Sequence, residues 1–250
     1  MKAQFKLKQS AVIGVVLASF LSQSVFAHTR LETVSLAEGT RAYNNIVIGH
    51  GCGTKPVTGT SVVFPDGVSS TIIVGGQVHN GPLTDFVTNW GPSISAVQSS
   101  ELFGDGGVKR GPTGNLVGFW AGGGRALSTD MIGRVPFRVN ATNIEKASCA
   151  VSVRFFVSIV DVCEVTPESQ LQTGGHDGGV VGLWTHHDLG TPYDAAASGG
   201  PASLTITRNL TSNPLPSSCG TGVSVDVKPS AAQILRDMPV KIHGTQIWPQ

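Results

Sequence analysis

Seven short runs of β-branched and aromatic residues, each closed by Gly, Pro, Asn or Asp, limit what this chain can fold into more than any other feature. They fall at 45–48, 60–64, 71–74, 135–139, 150–162, 203–207 and 222–227. Val, Ile, Thr and Phe in runs of this length fit a pleated surface, and the punctuating residues supply turns. No helical periodicity separates the runs, so the pattern predicts an all-β antiparallel sandwich rather than alternating strands and helices. Only 230–236, directly after Pro229, reads as one or two helical turns. Two Gly-rich stretches, 104–114 and 174–182, read as surface loop insertions, and the tail after Asp237 as extended. At 250 residues the chain is long enough to bury one substantial core.

The N-terminus carries an address. Residues 1–27 hold Lys2, Lys6 and Lys8 and no acid, then an apolar stretch over 11–21 interrupted by Ser19, then Val25-Phe26-Ala27. This is the layout of a secretory signal peptide, and its apolar core is shorter than the ~20 residues a membrane-spanning helix needs. The mature chain is therefore expected in the periplasm or outside the cell, with no membrane span. Without the three leader lysines, 14 basic side chains face 16 acidic ones, which excludes the basic footprint that nucleic acid requires.

Where the leader ends decides the chemistry. Val25 at −3 and Ala27 at −1 place the cut before His28, so the mature chain begins His28-Thr29-Arg30-Leu31-Glu32. An N-terminal histidine offers its α-amino nitrogen and its own Nδ1 to one metal ion, a donor pair suited to Cu(II). A cut after Ser24 would destroy that chelate.

Cys52, Cys149, Cys163 and Cys219 make an even number in an oxidising compartment, so disulfides are expected, with three pairings open. No CxxC spacing supports a thiolate zinc site or a thioredoxin-like motif, and no Gly-x-Ser-x-Gly elbow supports acyl transfer. Among the histidines, His50 reads as a hydrogen-bonded turn residue beside Cys52. His186, His187 and Asp188, with His176-Asp177 nearby, read as solvated loop, because neighbouring side chains in an extended chain point opposite ways. Trp90, Trp120 and Trp248 read as packing residues.

Several ordered blocks resemble the YcnI-like copper-binding domain family of secreted bacterial proteins. His28-x-x-Leu31-Glu32-Thr33 resembles its mature start, His50-Gly51-Cys52 its His-Gly-Cys, and Phe64-Pro65-Asp66-Gly67-Val68 its Ile-Pro-Glu-Gly-Val. Phe119-Trp120-Ala121-Gly122-Gly123 resembles its Trp-x-Gly-Gly block, Val160-Asp161-Val162-Cys163-Glu164 its Val-Gln-Thr-Cys-Glu, and Leu183-Trp184 with Pro201-Ala202-Ser203-Leu204 its closing blocks. The resemblance covers 28–207 and leaves 208–250 as a C-terminal extension. It implies an immunoglobulin-like sandwich that holds Cu(II) through a single-histidine brace formed by the α-amino nitrogen and Nδ1 of His28, with an acidic ligand and a nearby tryptophan. Glu32 is the acid suggested by the family's start, and Glu164, beside Cys163, competes with it. In a straight strand His28 and Glu32 would lie roughly 13 Å apart, so Glu32 serves only if the chain bends. Trp184 matches the tryptophan block and is expected as a wall beside the metal, because an indole nitrogen has no lone pair to donate. The matched blocks also suggest Cys52 with Cys163, which leaves Cys149 with Cys219.

The resulting expectation is a secreted protein of copper capture, delivery or homeostasis, not an enzyme, whose partners are the copper ion and another copper-handling protein. Two alternatives compete with it. A copper-dependent oxidase of the monooxygenase type needs a second histidine at the metal, which His186 or His187 would have to supply. A structural or adhesive sandwich needs no metal.

Overall fold

The computed structural model describes residues 28–91, 93–172, 179–197 and 199–250. The predicted leader lies outside these residues, as do His176 and Asp177. Strands β1 (Arg30–Leu31), β2 (Ser35–Ala37), β3 (Ala42–Ile48), β4 (Val57–Val63), β5 (Thr71–Val74) and β6 (Gln77–His79) come first. The middle of the chain forms β7 (Val87–Thr88), β8 (Ile94–Ala96), β9 (Asp105–Arg110), β10 (Leu116–Leu127), β11 (Gly133–Val139) and β12 (Asn143–Ile144). β13 (Ala150–Val162), β14 (Val181–Trp184), β15 (Ala202–Thr207), β16 (Val223–Lys228), helix α1 (Ala231–Asp237) and strands β17 (Val240–Ile242) and β18 (Thr245–Trp248) follow.

Two sheets make an all-β, immunoglobulin-like sandwich. The smaller has the order β1-β3-β11-β8; the larger runs β6-β5-β16-β13-β4-β10-β9, with β14 and β15 also paired to β13 and β2 to β15. β13 is its axis. The first half of β13 pairs with β15 and, in parallel, with β16, and its second half pairs with β4 and β14. Between the sheets lies a core that includes Leu31, Ile46, Phe64, Phe137, Phe155, Ile159 and Trp184. A second core, with Val160, Val162, Leu183, Tyr193, Ile234, Met238 and Trp248, covers the opposite face of the large sheet. Because apolar layers lie on both faces, residues Val157–Val162 of β13 are buried at every position rather than at alternate ones.

All seven runs form strands, and the helix starts where expected, with the Ser230 hydroxyl accepting from the Gln233 N–H at 3.1 Å. Three expectations need correction. The stretch 104–114 is not a loop insertion: most of it is β9, hydrogen-bonded to β10. The tail beyond Asp237 is not simply extended, because β17 and β18 pair as a hairpin. The segment 208–250 is not an appendage, because β16 sits inside the large sheet between β5 and β13.

Both disulfides join the expected partners, Cys52 with Cys163 and Cys149 with Cys219. The first spans a sequence separation of 111, where chain entropy alone would contribute about 4 to 5 kcal/mol. It pins the end of β13 to the turn that carries His50.

Candidate functional site

The N-terminal residues reach the large sheet from the smaller one. β1 pairs with β3, with Leu31 opposite Ile46, and burial of Leu31 between the sheets fixes the direction in which the preceding residues run. Thr29 is thereby buried, and its hydroxyl donates to Oδ2 of Asp161 on β13. The His28 ring packs against the indole of Trp184 on β14, with centroids 4.6 Å apart and planes tilted by 57°. Trp184 Nε1 donates to the same Oδ2 of Asp161 at 2.8 Å.

Register explains why these groups meet. Asp161 lies opposite Thr60 of β4 and Gly182 of β14, while Trp184 lies opposite Ile159, so Asp161 and Trp184 share the face turned towards the smaller sheet. Gly182 lets the indole lie close across it, since any larger residue would press on the ring by a few tenths of an ångström. A Cβ there would stand 3.2 Å from Trp184 Nε1 and 3.6 Å from the Asp161 Cβ.

Asp161 is 2% exposed, which is unusual for a carboxylate that no lysine or arginine among the described residues pairs with. Burial pushes its carboxyl above the usual carboxylate range, and the hydrogen bonds from Thr29 and Trp184, then Thr60 and the charge of His50, pull it back. The two bonds from Thr29 and Trp184 converge on Oδ2. Oδ1 is buried and accepts no hydrogen bond of ordinary geometry, and the Thr60 hydroxyl donates to the Val160 carbonyl at 3.3 Å. The site therefore presents an imidazole, an indole wall and one buried carboxyl oxygen near the start of the described residues.

The other expected acids lie in different company. Glu32 is bound to Arg134 at 2.7 Å and accepts from the Asn45 amide at 2.5 Å, and Glu164 pairs with Lys55 at 2.6 Å. His186 Nδ1 comes to 4.0 Å of Asp188 Oδ1, but no cluster of three with His187 forms among the described residues. The His186 ring is largely buried edge-on against Phe156, His187 and Asp188 are exposed, and Lys228 holds Asp188 at 3.2 Å. Burial and the Lys228 charge push His186 down to about 4. His50 behaves as a turn residue, its Nδ1 bonded to the Gly51 carbonyl. Among the described residues no group of three or more His, Cys, Asp or Glu side chains is gathered to hold a metal. A metal here would need the α-amino nitrogen of a processed His28.

Sequence reasoning overlooked Thr29 and Asp161. The signal for Asp161 was present: it is an acid inside the otherwise apolar end of the 150–162 run, where a strand covered on both faces has no solvent to receive it. Nothing comparable marks Thr29.

Neither a protein-family model nor a curated protein matches the chain. Among solved structures, an uncharacterized protein from Nocardia farcinica with an immunoglobulin-like fold is similar at 12% identity, with a TM-score of 0.37, over 72% of this chain and 99% of that one. A type II cohesin domain from the cellulosome of Acetivibrio cellulolyticus is similar at 11% identity, with a TM-score of 0.26, over 71% of this chain and 92% of that one.

Proposed function

We propose that the exported chain is a Cu(II)-binding protein of the periplasm or cell exterior that captures or delivers copper through its N-terminal histidine, without turnover. The observation that carries this reading is the His28 ring packed against Trp184, whose N–H in turn holds the buried Asp161 carboxyl. Cleavage before His28 would add an α-amino nitrogen to the imidazole, giving two nitrogen donors from one residue. The residues fit the ion, because an imidazole and an α-amino nitrogen would stand beside the buried carboxyl of Asp161, whose Oδ1 accepts no hydrogen bond of ordinary geometry. Copper bound there would be walled on one side by indole, which excludes water without competing for the metal. Two disulfides suit such an oxidising location. The oxidase alternative gains nothing from His186, which is packed against Phe156.

Competition titration with Cu(II) tests the reading. Protein beginning at His28 should bind at least about 100-fold more tightly than His28→Ala or a form that keeps Ala27 ahead of His28, since each change removes a chelating nitrogen. Equal affinity in all three would overturn it.

A further inference from the structure

We infer that the outer face of the large sheet, across the first half of β13, is a binding groove for an extended neutral oligosaccharide. The inference goes beyond the copper reading and uses none of its residues. The second core covers this face over the second half of β13, where Val160 and Val162 belong to it. Over the first half Arg154 and, on the neighbouring β16, Ser224 are exposed, and they line a shallow hollow of about 390 Å³, a volume within the range of small-molecule sites. Strand register sets its side chains in line. Ile73 of β5, Asp226 of β16, Arg154 of β13 and Thr205 of β15 form one row, and Val78 of β6, 64% exposed, continues it past Ile73. Five strands at a spacing of ~4.8 Å make the row about 19 Å long. Ser224 and Ser152 stand side by side in the next row and share a hydrogen bond at 3.2 Å.

Charge and hydrogen-bonding capacity select the ligand. Arg154 Nε and Nη2 donate to the two oxygens of Asp226 at 2.8 and 2.6 Å, so the pair has no net charge. An anion would meet Asp226 and a cation would meet Arg154, and either would have to disrupt this bidentate pair. A guanidinium has five N–H donors and a carboxylate about four acceptor positions, and the pair uses two of each. The Arg154 guanidinium also rests on the Phe156 ring at 4.6 Å, so its orientation is set before a ligand arrives. Sugar hydroxyls donate and accept at once, which suits the ion pair together with the Ser152, Ser224 and Thr205 hydroxyls, and the C–H face of a sugar ring suits Ile73 and Val78. An extended peptide would seek a strand edge for its backbone, whereas β13 and β16 are interior strands and the row crosses them.

The test records backbone amide NMR spectra of the isotope-labelled exported chain as cellohexaose, xylohexaose, mannohexaose and the hexamer of N-acetylglucosamine are added in turn, with hexagalacturonate as the anionic comparison. At least one neutral hexasaccharide should bind with a Kd of about 1 mM or tighter and move the signals of Ser152, Arg154, Ser224 and Asp226. Arg154→Ala removes the donors and Ser224→Trp fills the hollow, so each should weaken that binding at least about tenfold. Both positions are exposed, and both variants should keep the wild-type thermal midpoint to within a few degrees. If a variant does not fold, the map of shifted signals in the wild type decides. The inference is overturned if no neutral hexasaccharide binds, if the shifted signals lie away from this face, if a folded variant binds as well as wild type, or if hexagalacturonate binds more tightly than all four neutral sugars.

Discussion

Trp184 makes two contacts that serve different ends. Its face meets the His28 ring and its N–H holds Asp161, so Trp184→Phe keeps most of the wall but removes a donor from a buried carboxylate. Trp90 is stacked on Phe155 with its own N–H on the Pro65 carbonyl, and Trp120 and Trp248 belong to the second core. Paramagnetic Cu(II) should therefore quench mainly Trp184. Trp184→Phe is expected to abolish most of the quench while weakening copper binding far less than His28→Ala, and a quench that survives it but vanishes in Trp90→Phe or Trp120→Phe would misplace the site. His186, two residues on, is a residue-scale test of folding instead. It stays neutral in the folded chain down to about pH 4, whereas an unfolded histidine takes up its proton near 6.5. Between those values the unfolded chain holds more protons, so stability falls as pH drops through that window, by on the order of 3 kcal/mol from this group. His186→Phe, which keeps an apolar ring beside Phe156, should show a correspondingly flatter decline in urea midpoint from pH 7 to 4. Parallel declines in the two proteins would count against the burial argument.

At the scale of elements, legibility followed side-chain chemistry. The runs in β3, β4, β5, β11, β13, β15 and β16 were readable because β-branched residues occupy them, and their turns carry Gly, Pro or Asn. β9 and β10 were not, because glycines that normally signal loops here permit close strand contact. A Cβ on Gly118 would stand 2.1 Å from the Val62 carbonyl oxygen, so the position that looks like a breaker is required by β4 running beside it. The candidate site was half legible for a related reason. His28 was singled out by the expected end of the leader and Trp184 by a motif, but that the Asp161 carboxyl packs beside Trp184 depends on how β13 registers with β4 and β14, both faces of which are buried. The resemblance favoured Glu32, although a straight strand would hold it roughly 13 Å from His28. Packing bonds Asp161 to Thr29, 132 residues away in sequence, which neither distance nor motif announces.

For the whole molecule, the question is whether residues beyond the resemblance are dispensable. β16 supplies Val225 and Val227, fully buried against the strand that carries Asp161, and Cys219 closes a disulfide to Cys149 at the start of that strand. Further on, Gln233 donates to the Phe64 carbonyl at 2.8 Å, and Arg236 bridges Asp66 and Asp237. The buried Lys109 ammonium donates to the carbonyls of Asp237, Met238 and Pro239 and to the Ser61 hydroxyl, at 2.5 to 3.1 Å. These bonds lock the C-terminal cover onto β4 and β9, and removing the cover would expose the second core and leave Lys109 without its acceptors. A chain ending at Thr207 should therefore fail to give a cooperative thermal transition or wild-type near-ultraviolet circular dichroism, even with Cys149 replaced by Ser to prevent mispairing. It should also bind copper no better than His28→Ala, because the strand presenting Asp161 loses its neighbour. A truncated chain that melts cooperatively near the full-length midpoint would show instead that 28–207 is a self-sufficient domain and that β16 is an ornament on it.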